Sequence, residues 1–175
     1  VWLFANGSQR NKFVIAGNSN NSVLSGDKAL YVVDAVNEYA YDNAASADIY
    51  AYRTFLFEPG EYQISYDWKC NGEGENDYGR VFFAPVTEFY ISAGTEIGAD
   101  KLSDRCIALH DVNKLSGSAD WKHETQIINV EKLVNYHLVV QWSNDGMDGV
   151  NPPLSIDNIS IGKVECGIIK NLNLH

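Results

Sequence analysis

Acidic side chains in turn-rich segments are the residues of this chain whose type and spacing could do chemistry. Asp27 lies within residues 25–28, Asp145 lies within residues 143–148, and Asp157 interrupts an apolar run. Calcium takes about six to eight hard oxygen ligands, typically carboxylates and loop carbonyls. An acid inside a strand costs stability unless it is paired, hydrogen-bonded or metal-bound. We therefore predict a structural calcium with Asp27, Asp145 and Asp157 as candidate ligands; the alternative for Asp157 is a carboxylate that caps loop amides or pairs with Lys or Arg.

Aromatic side chains are the second group of candidates, because the apolar face of a sugar ring packs on Trp or Tyr while polar neighbours bond its hydroxyls. The chain contains four Trp and ten Tyr. Trp68 and Trp142 fall on the apolar faces of predicted strands, which indicates core positions. Trp121 and Tyr90 lie near loops and Tyr78 follows a polar hairpin loop, so we predict that these three bind ligand. The alternative for each is a place in the core.

Catalytic signatures are missing from the sequence. It has no G-x-S-x-G elbow, P-loop, H-E-x-x-H or helix-leading G-x-G-x-x-G. Glycosidases built on sandwiches set two acids at alternate positions of one strand face, where both flank the scissile bond. Glu73 and Glu75 have that spacing but fall in a Gly-rich turn, which cannot hold two carboxylates rigidly. We interpret them as a solvated hairpin tip and predict no enzymatic activity.

Charge and hydropathy narrow the classes of partner. The formal net charge is -10 and the pI is about 4.7, so a polyanion such as nucleic acid would be repelled. An uninterrupted apolar run of about 18 residues is absent, which argues against insertion into a membrane. The chain opens on Val1-Trp2-Leu3-Phe4, which is typical of mid-protein sequence, so we expect that any address signal has been removed.

The cysteines Cys70, Cys106 and Cys166 are widely spaced and match no zinc-binding pattern. One disulfide with one free thiol and three reduced thiols both remain open. Scattered cysteines of this kind are most often buried small hydrophobic residues.

Strand signals recur along the whole chain and helical periodicity is scarce, with one short candidate helix at residues 98–106. Residues 61–69 alternate cleanly, with Tyr62, Ile64, Tyr66 and Trp68 on one face. We predict strands at residues 12–16, 29–34, 50–57, 61–69, 78–84, 106–110, 122–129, 136–142 and 154–162. Many short strands without intervening helices predict an all-β fold, a two-sheet antiparallel sandwich or a barrel.

Several segments together resemble jelly-roll carbohydrate-binding modules and MAM-like adhesion domains. Residues 26–33 (GDKALYVV) are similar to a strand near the start of those modules, and residues 154–161 (LSIDNISI) are similar to their closing strand. Residues 2–7, 11–15, 66–69 and 77–83 look like surface and secreted domains of Bacteroidetes-type bacteria. The resemblance spans most of residues 1–165.

The resemblance implies a jelly roll of the concanavalin or galactose-binding kind, placed outside the cytoplasm as a secreted or cell-surface domain. It also implies that Asp27 and Asp157 hold a structural calcium, although Asn158 stands where a second acid is usual and weakens the metal site. The tail, residues 166–175, resembles a linker or the start of a fibronectin type III-like module.

The function that follows is non-catalytic binding of carbohydrate, or adhesion to a glycan or a host or surface protein, next to further domains in the same chain. A structural spacer or protein-interaction domain without a glycan ligand is the alternative, and a glycoside-active enzyme is a remote one. The sequence leaves the ligand and the oligomeric state open.

Overall fold

The computed structural model describes residues 1–98, 102–111, 114–165 and 168–172, and every regular element in that part of the chain is a strand. The eleven strands are β1 (Leu3–Ala5), β2 (Lys12–Ala16), β3 (Ala29–Val33), β4 (Ala47–Phe57), β5 (Gly60–Cys70), β6 (Tyr78–Pro85), β7 (Ile107–Ala108), β8 (Ser118–Val130), β9 (Val134–Asn144), β10 (Ser155–Glu165) and β11 (Ile168–Asn171). None of the described segments is a helix long and apolar enough to cross a membrane.

The strands form two antiparallel sheets. Sheet 1 has the order β1-β4-β9-β6-β7, and sheet 2 has the order β2-β3-β10-β5-β8, with β11 paired to the far end of β10. The predicted all-β, two-sheet antiparallel sandwich is therefore confirmed. The longest ladder joins β4 to β9 over their full length, from Ala47 opposite Asn144 to Phe57 opposite Val134.

The core lies between the two sheets and follows the alternation of the strands. Tyr62, Ile64, Tyr66 and Trp68 of β5 are all buried there, as predicted, together with Trp142 of β9. Alternate residues of a strand point to opposite faces, so one apolar face per strand is enough to build this layer.

Two smaller clusters lie on the outer faces of the sheets. On sheet 1, Tyr50, Phe82 and Val139 are covered by the connection between β6 and β7, which contributes Ile91 and Phe89. On sheet 2, Ala29, Tyr31 and Val33 are covered by Tyr39 and by partly buried residues that include Val23. Both sheets are therefore apolar on two faces over part of their area, which explains why β3 is a continuous apolar run.

The helix predicted over residues 98–106 is wrong for the part that the structure describes, since residues 102–106 form coil and a turn at Asp104 and Arg105. Residues 99–101 lie outside the described residues. Leu102 and Cys106 instead pack on the outer face of sheet 1, so tertiary packing overrides a weak local periodicity. The strand predicted at residues 106–110 shortens to Ile107–Ala108.

Strand β10 breaks its own alternation. Asp157 lies opposite Asp67 and Ser160 lies opposite Ser65, so β10 carries one more residue than β5 over this interval. Asn158 takes the left-handed conformation of such a bulge, with a φ of 52°. Strict alternation along residues 155–160, as expected of a strand without a bulge, therefore fails beyond Asp157, and both Ile156 and Ile161 reach the core.

Candidate functional site

A polar pocket of about 410 Å³ opens at the end of sheet 1 where β4, β6 and β9 meet. We call it the polar pocket. Its lining residues are Ser46, Asp48, Glu75, Asn76, Tyr78, Glu96, Lys114, Ser143, Asn144 and Asp145. The ladder places Asp48 opposite Ser143 and Tyr78 opposite Ser143 on the other side, so three adjacent strands each contribute an outward side chain. The volume falls in the range of small-molecule sites, about 300–1,000 Å³.

Asp48 is held in a fixed orientation by its neighbours in the sheet. Gln141 Nε2 donates to Ser143 Oγ at 2.9 Å, and Ser143 Oγ donates to Asp48 Oδ1 at 2.9 Å. Burial raises the pKa of the Asp48 carboxyl above its usual range, and the Ser143 hydrogen bond offsets only part of that change. The second oxygen of Asp48, Oδ2, has no hydrogen-bond donor among the residues that the structure describes. It can therefore accept a hydroxyl of a bound molecule.

Tyr78 is buried in the wall of the pocket. Lys114 Nζ lies 4.2 Å from the centroid of its ring and Arg80 Cζ lies 4.8 Å from it. Its hydroxyl donates to Glu96 Oε1. Tyr78 is 1% exposed, and two cations contact its ring. Its hydroxyl end therefore faces the pocket, and its ring has no open face on which a sugar could stack.

Lys114 links the pocket to the hairpin between β5 and β6. Its ammonium group pairs with Glu75 Oε2 at 3.0 Å and donates to the Glu75 carbonyl at 2.5 Å. The polar pocket therefore combines four carboxylates, of Asp48, Glu75, Glu96 and Asp145, with one ammonium group. Its charge favours neutral or cationic ligand groups over anions.

The connection that follows β6 closes one side of the pocket, and we call residues 86–98 the covering loop. Tyr50 anchors it from β4, because its hydroxyl donates to the Thr95 carbonyl at 2.5 Å and accepts the Ile97 amide at 3.0 Å. Arg80 of β6 donates to the carbonyls of Ile97 and Gly98. These bonds place Glu96 at the pocket.

An acidic cluster lies beside the pocket. Carboxylate oxygens of Glu73, Asp77 and Asp145 all lie within 4.8 Å of one another, so the three could hold a metal ion. Asp77 is 1% exposed; its Oδ2 accepts the Tyr41 hydroxyl at 2.6 Å and its Oδ1 accepts the Asp145 amide at 3.2 Å. Burial raises the pKa of Asp77, these two hydrogen bonds lower it, and the charges of Asp145 and Glu73 raise it further.

The structure brings two of the predicted site residues together and leaves the others apart. Tyr78 and Asp145 both line the polar pocket. Tyr90 is 91% exposed in the covering loop. Trp121 is half-buried on β8 of sheet 2, where Lys69 Nζ lies 5.1 Å from its ring centroid. Ligand contact by Tyr90 and Trp121 remains a prediction at two separate places.

Asp157 lies on sheet 2, away from the acidic cluster. Its Oδ2 accepts the amides of Leu24 at 2.8 Å and Ser25 at 3.0 Å, and its Oδ1 accepts the amide of Asn158 at 2.7 Å. These contacts match the alternative given for Asp157, a carboxylate that caps loop amides. Asp27 is exposed in the loop before β3. Calcium binding by Asp27 and Asp157 remains a prediction.

Sequence reasoning missed Asp48, Asp77, Glu96 and Lys114, and it read Glu73 only as a hairpin tip. The signal for Asp77 was its place directly before β6, because the antiparallel pairing of β6 with β9 sets it beside Asp145. Glu75 is exposed as predicted, with a side-chain exposure of 86%.

The cysteine question is settled for two of the three residues. Cys70 is buried and Cys106 is half-buried, and both carry free thiols. Burial raises the pKa of Cys70, and burial together with Glu88 raises that of Cys106 to about 11. Cys166 lies outside the described residues.

Comparisons with known proteins identify the fold and not a family. The sequence matches no protein-family model and no curated protein. Among solved structures, the enzymatically active domain of tailspike protein 4 from bacteriophage CBA120 is similar, with a TM-score of 0.51, 12% identity and 93% of this chain covered. The CBM22-1–GH10 modules of Clostridium thermocellum xylanase 10B, complexed with xylohexaose, are similar with a TM-score of 0.50, 14% identity and 93% coverage.

A third similar structure is TmCBM61 in complex with β-1,4-galactotriose, with a TM-score of 0.48, 13% identity and 93% of this chain covered. This chain spans 88% of the TmCBM61 chain, but only 19% of the tailspike chain and 26% of the xylanase chain. The fold is the predicted two-sheet jelly-roll sandwich, which part of the tailspike chain and part of the xylanase chain share.

Proposed function

We propose that this domain is a non-catalytic module that binds a neutral saccharide in the polar pocket. The observation that carries the proposal is the convergence of Asp48, Ser143 and Tyr78 from three adjacent strands on one pocket with a lysine and further acids at its rim. Oriented carboxylates and hydroxyls bind the paired hydroxyls of a sugar ring. The xylanase chain, of which 26% matches this fold, is complexed with xylohexaose, and the proposal takes from it the class of ligand alone.

Calorimetric titration with a panel of neutral oligosaccharides, xylo- and galacto-oligosaccharides among them, tests this function. We expect Asp48→Ala to raise the dissociation constant at least about tenfold, which corresponds to a loss of about 1.4 kcal/mol of binding free energy. Glu61, an exposed acid on β5 of the other sheet, supplies the matched control, and Glu61→Ala should bind as the unaltered protein does. If no neutral glycan binds, or if Asp48→Ala binds unchanged, the proposal fails and the spacer or protein-interaction function takes its place.

Glycoside hydrolysis is the second candidate, because burial raises the pKa of Asp48 beside other carboxylates of the pocket. The release of reducing ends from any bound oligosaccharide distinguishes the two functions. We expect none. A steady release that Asp48→Ala abolishes would make this protein an enzyme.

We propose that the acidic cluster, Glu73, Asp77 and Asp145, binds a structural calcium ion. The group consists of three carboxylates, whose oxygens suit a hard cation, and a divalent ion would offset their mutual repulsion. Calcium should raise the melting temperature and a chelator should lower it, while Glu73→Gln should lose that response and Glu61→Gln should keep it. A melting temperature that neither calcium nor the chelator changes would contradict the proposal.

We further propose that the domain works as a secreted or cell-surface module beside other domains. Residues 166–175 would then lead into the next module. The strand β11 that begins within this tail pairs with β10 alone, which is consistent with such a junction.

A further inference from the structure

A second groove lies near the β1 edge of sheet 1, where Trp2, which precedes β1, and Arg53 of β4 approach β2, β3 and β10 of sheet 2. We call it the edge groove. Its volume is about 180 Å³, and Trp2, Ile15, Lys28, Arg53, Asp157 and Ile159 are among its lining residues. It shares no residue with the polar pocket.

The bulge of β10 builds the apolar part of this groove. The extra residue lets Ile156 and Ile161 stay in the core while the half-buried Ile159 turns to the groove. Ile15 is 39% exposed beside it. Trp2 is half-buried there, so an indole and two aliphatic side chains form an apolar surface that water reaches.

The charge of the edge groove is opposite to that of the polar pocket. Lys28 and Arg53 supply two positive charges and Asp157 supplies one negative charge, a net of +1 in a chain whose net charge is -10. The Asp157 carboxylate already accepts three backbone amides. Lys28 makes no ion pair with any described residue. The Asp67 carboxylate accepts from Asn158 of the lining at 2.7 Å, so an anion is attracted by the two cations directly and not by a net charge of the surroundings.

We propose that the edge groove is a second binding site, specific for a saccharide unit that carries a carboxylate. The sugar ring packs on Trp2 and the two isoleucines, and the carboxylate lies between Lys28 and the guanidinium of Arg53. The acids of the polar pocket repel the same ligand. The inference does not depend on what the polar pocket binds.

An oligogalacturonide and its methyl ester test the site, because they share the sugar chain and differ in charge. Titration should show that the acid binds and that added salt weakens its binding. The ester should bind at least about tenfold more weakly than the acid. Lys28→Gln should raise the dissociation constant for the acid at least about threefold. Lys132→Gln, at an exposed lysine in the turn between β8 and β9, changes the net charge equally and should have no effect.

Tryptophan fluorescence assigns the binding to this groove. Trp68 and Trp142 are 2% and 0% exposed, and the half-buried Trp121 lies on β8, which β5 separates from β10. The signal that responds to a ligand in the edge groove should therefore disappear in Trp2→Phe. Asp48→Ala should leave binding of the acid unchanged, which separates this site from the proposed saccharide site of the polar pocket. Equal binding of acid and ester, full binding by Lys28→Gln, or tighter binding of a poly-glutamate peptide than of the saccharide would overturn the inference.

Discussion

Single residues decide the electrostatics at the end of sheet 1. Asp77 is buried and accepts one hydroxyl and one amide, and the room beside it is limited. A Cβ added to Gly149, whose φ is 104°, would lie 2.1 Å from Tyr41 Oη and 2.3 Å from Asp77 Oδ2. The backbone at Gly149 therefore packs directly against the Tyr41–Asp77 pair, in which Asp77 accepts both the Tyr41 hydroxyl and the Asp145 amide.

Tyr41→Phe should lower the free energy of unfolding by about 1.5–3 kcal/mol, because it removes a hydrogen bond to a buried carboxylate and keeps the ring that packs on Trp142. Urea denaturation measures the change. Tyr52→Phe is the control, since the hydroxyl of Tyr52 has no hydrogen-bond partner among the described residues. An equal loss in both variants would show that the Asp77 bond adds nothing.

Asp48 should give the stability a characteristic dependence on pH. Its folded-state pKa is raised, so the folded state binds this proton more tightly than the unfolded chain does. The free energy of unfolding should therefore fall as the pH rises from the ordinary pKa of Asp through the raised value. Asp48→Asn lacks this contribution, so its free energy of unfolding relative to that of the unaltered protein should rise as the pH passes from the ordinary pKa of Asp through the raised value. A constant difference across that range would refute the assignment.

At the scale of elements, the alternation of β5 and β9 predicted which side chains enter the core, because a period of two leaves no other arrangement once one face is apolar. The bulge of β10 was not predictable, since Asn158 reads as an ordinary strand residue until its partner on β5 is known. The pocket was missed for the same reason: Asp48, Tyr78 and Ser143 are 95 positions apart or less in sequence but meet only through the pairing of β4, β6 and β9.

Substitutions at the bulge should separate backbone conformation from side-chain bonds. Asn158 donates to Asp67 Oδ2 at 2.7 Å and accepts from Ser25 Oγ at 2.5 Å. Asn158→Gly loses these exposed bonds but adopts a φ of 52° freely, so we expect a cost below about 1 kcal/mol. Asn158→Val should cost about 1–2 kcal/mol more, because a branched side chain is strained there. Thermal melts of the two variants give the comparison, and equal costs would mean that the conformation carries no strain.

At the scale of the whole molecule, the two sheets bury a single central core while each outer face is covered over part of its area. The composition and strand pattern were enough to predict an all-β sandwich or barrel. The jelly-roll class was inferred from the resemblance of several motifs in the same order. The end of the domain near residue 165 remains a prediction. Of the described residues of the tail, Leu172 packs partly buried against the core.

Removal of residues 166–175 tests the domain boundary. The chain that ends at Glu165 should still fold, with a loss of about 1–2 kcal/mol from the missing β11 ladder and the Leu172 contact. Circular dichroism during a thermal melt should show the same strand spectrum and one cooperative transition. A truncated chain without a transition would make the tail an integral part of the sandwich.

The covering loop has a consequence for how such a module diversifies. It is fixed to the sheet by Tyr50 and Arg80, whereas the pocket depends on where Glu96 falls along it. Insertions or deletions between Pro85 and Glu96 would change the depth and charge of the pocket and leave both sheets intact. A library that varies only this loop could therefore select new ligands on an unchanged scaffold, much as antibody loops do on theirs.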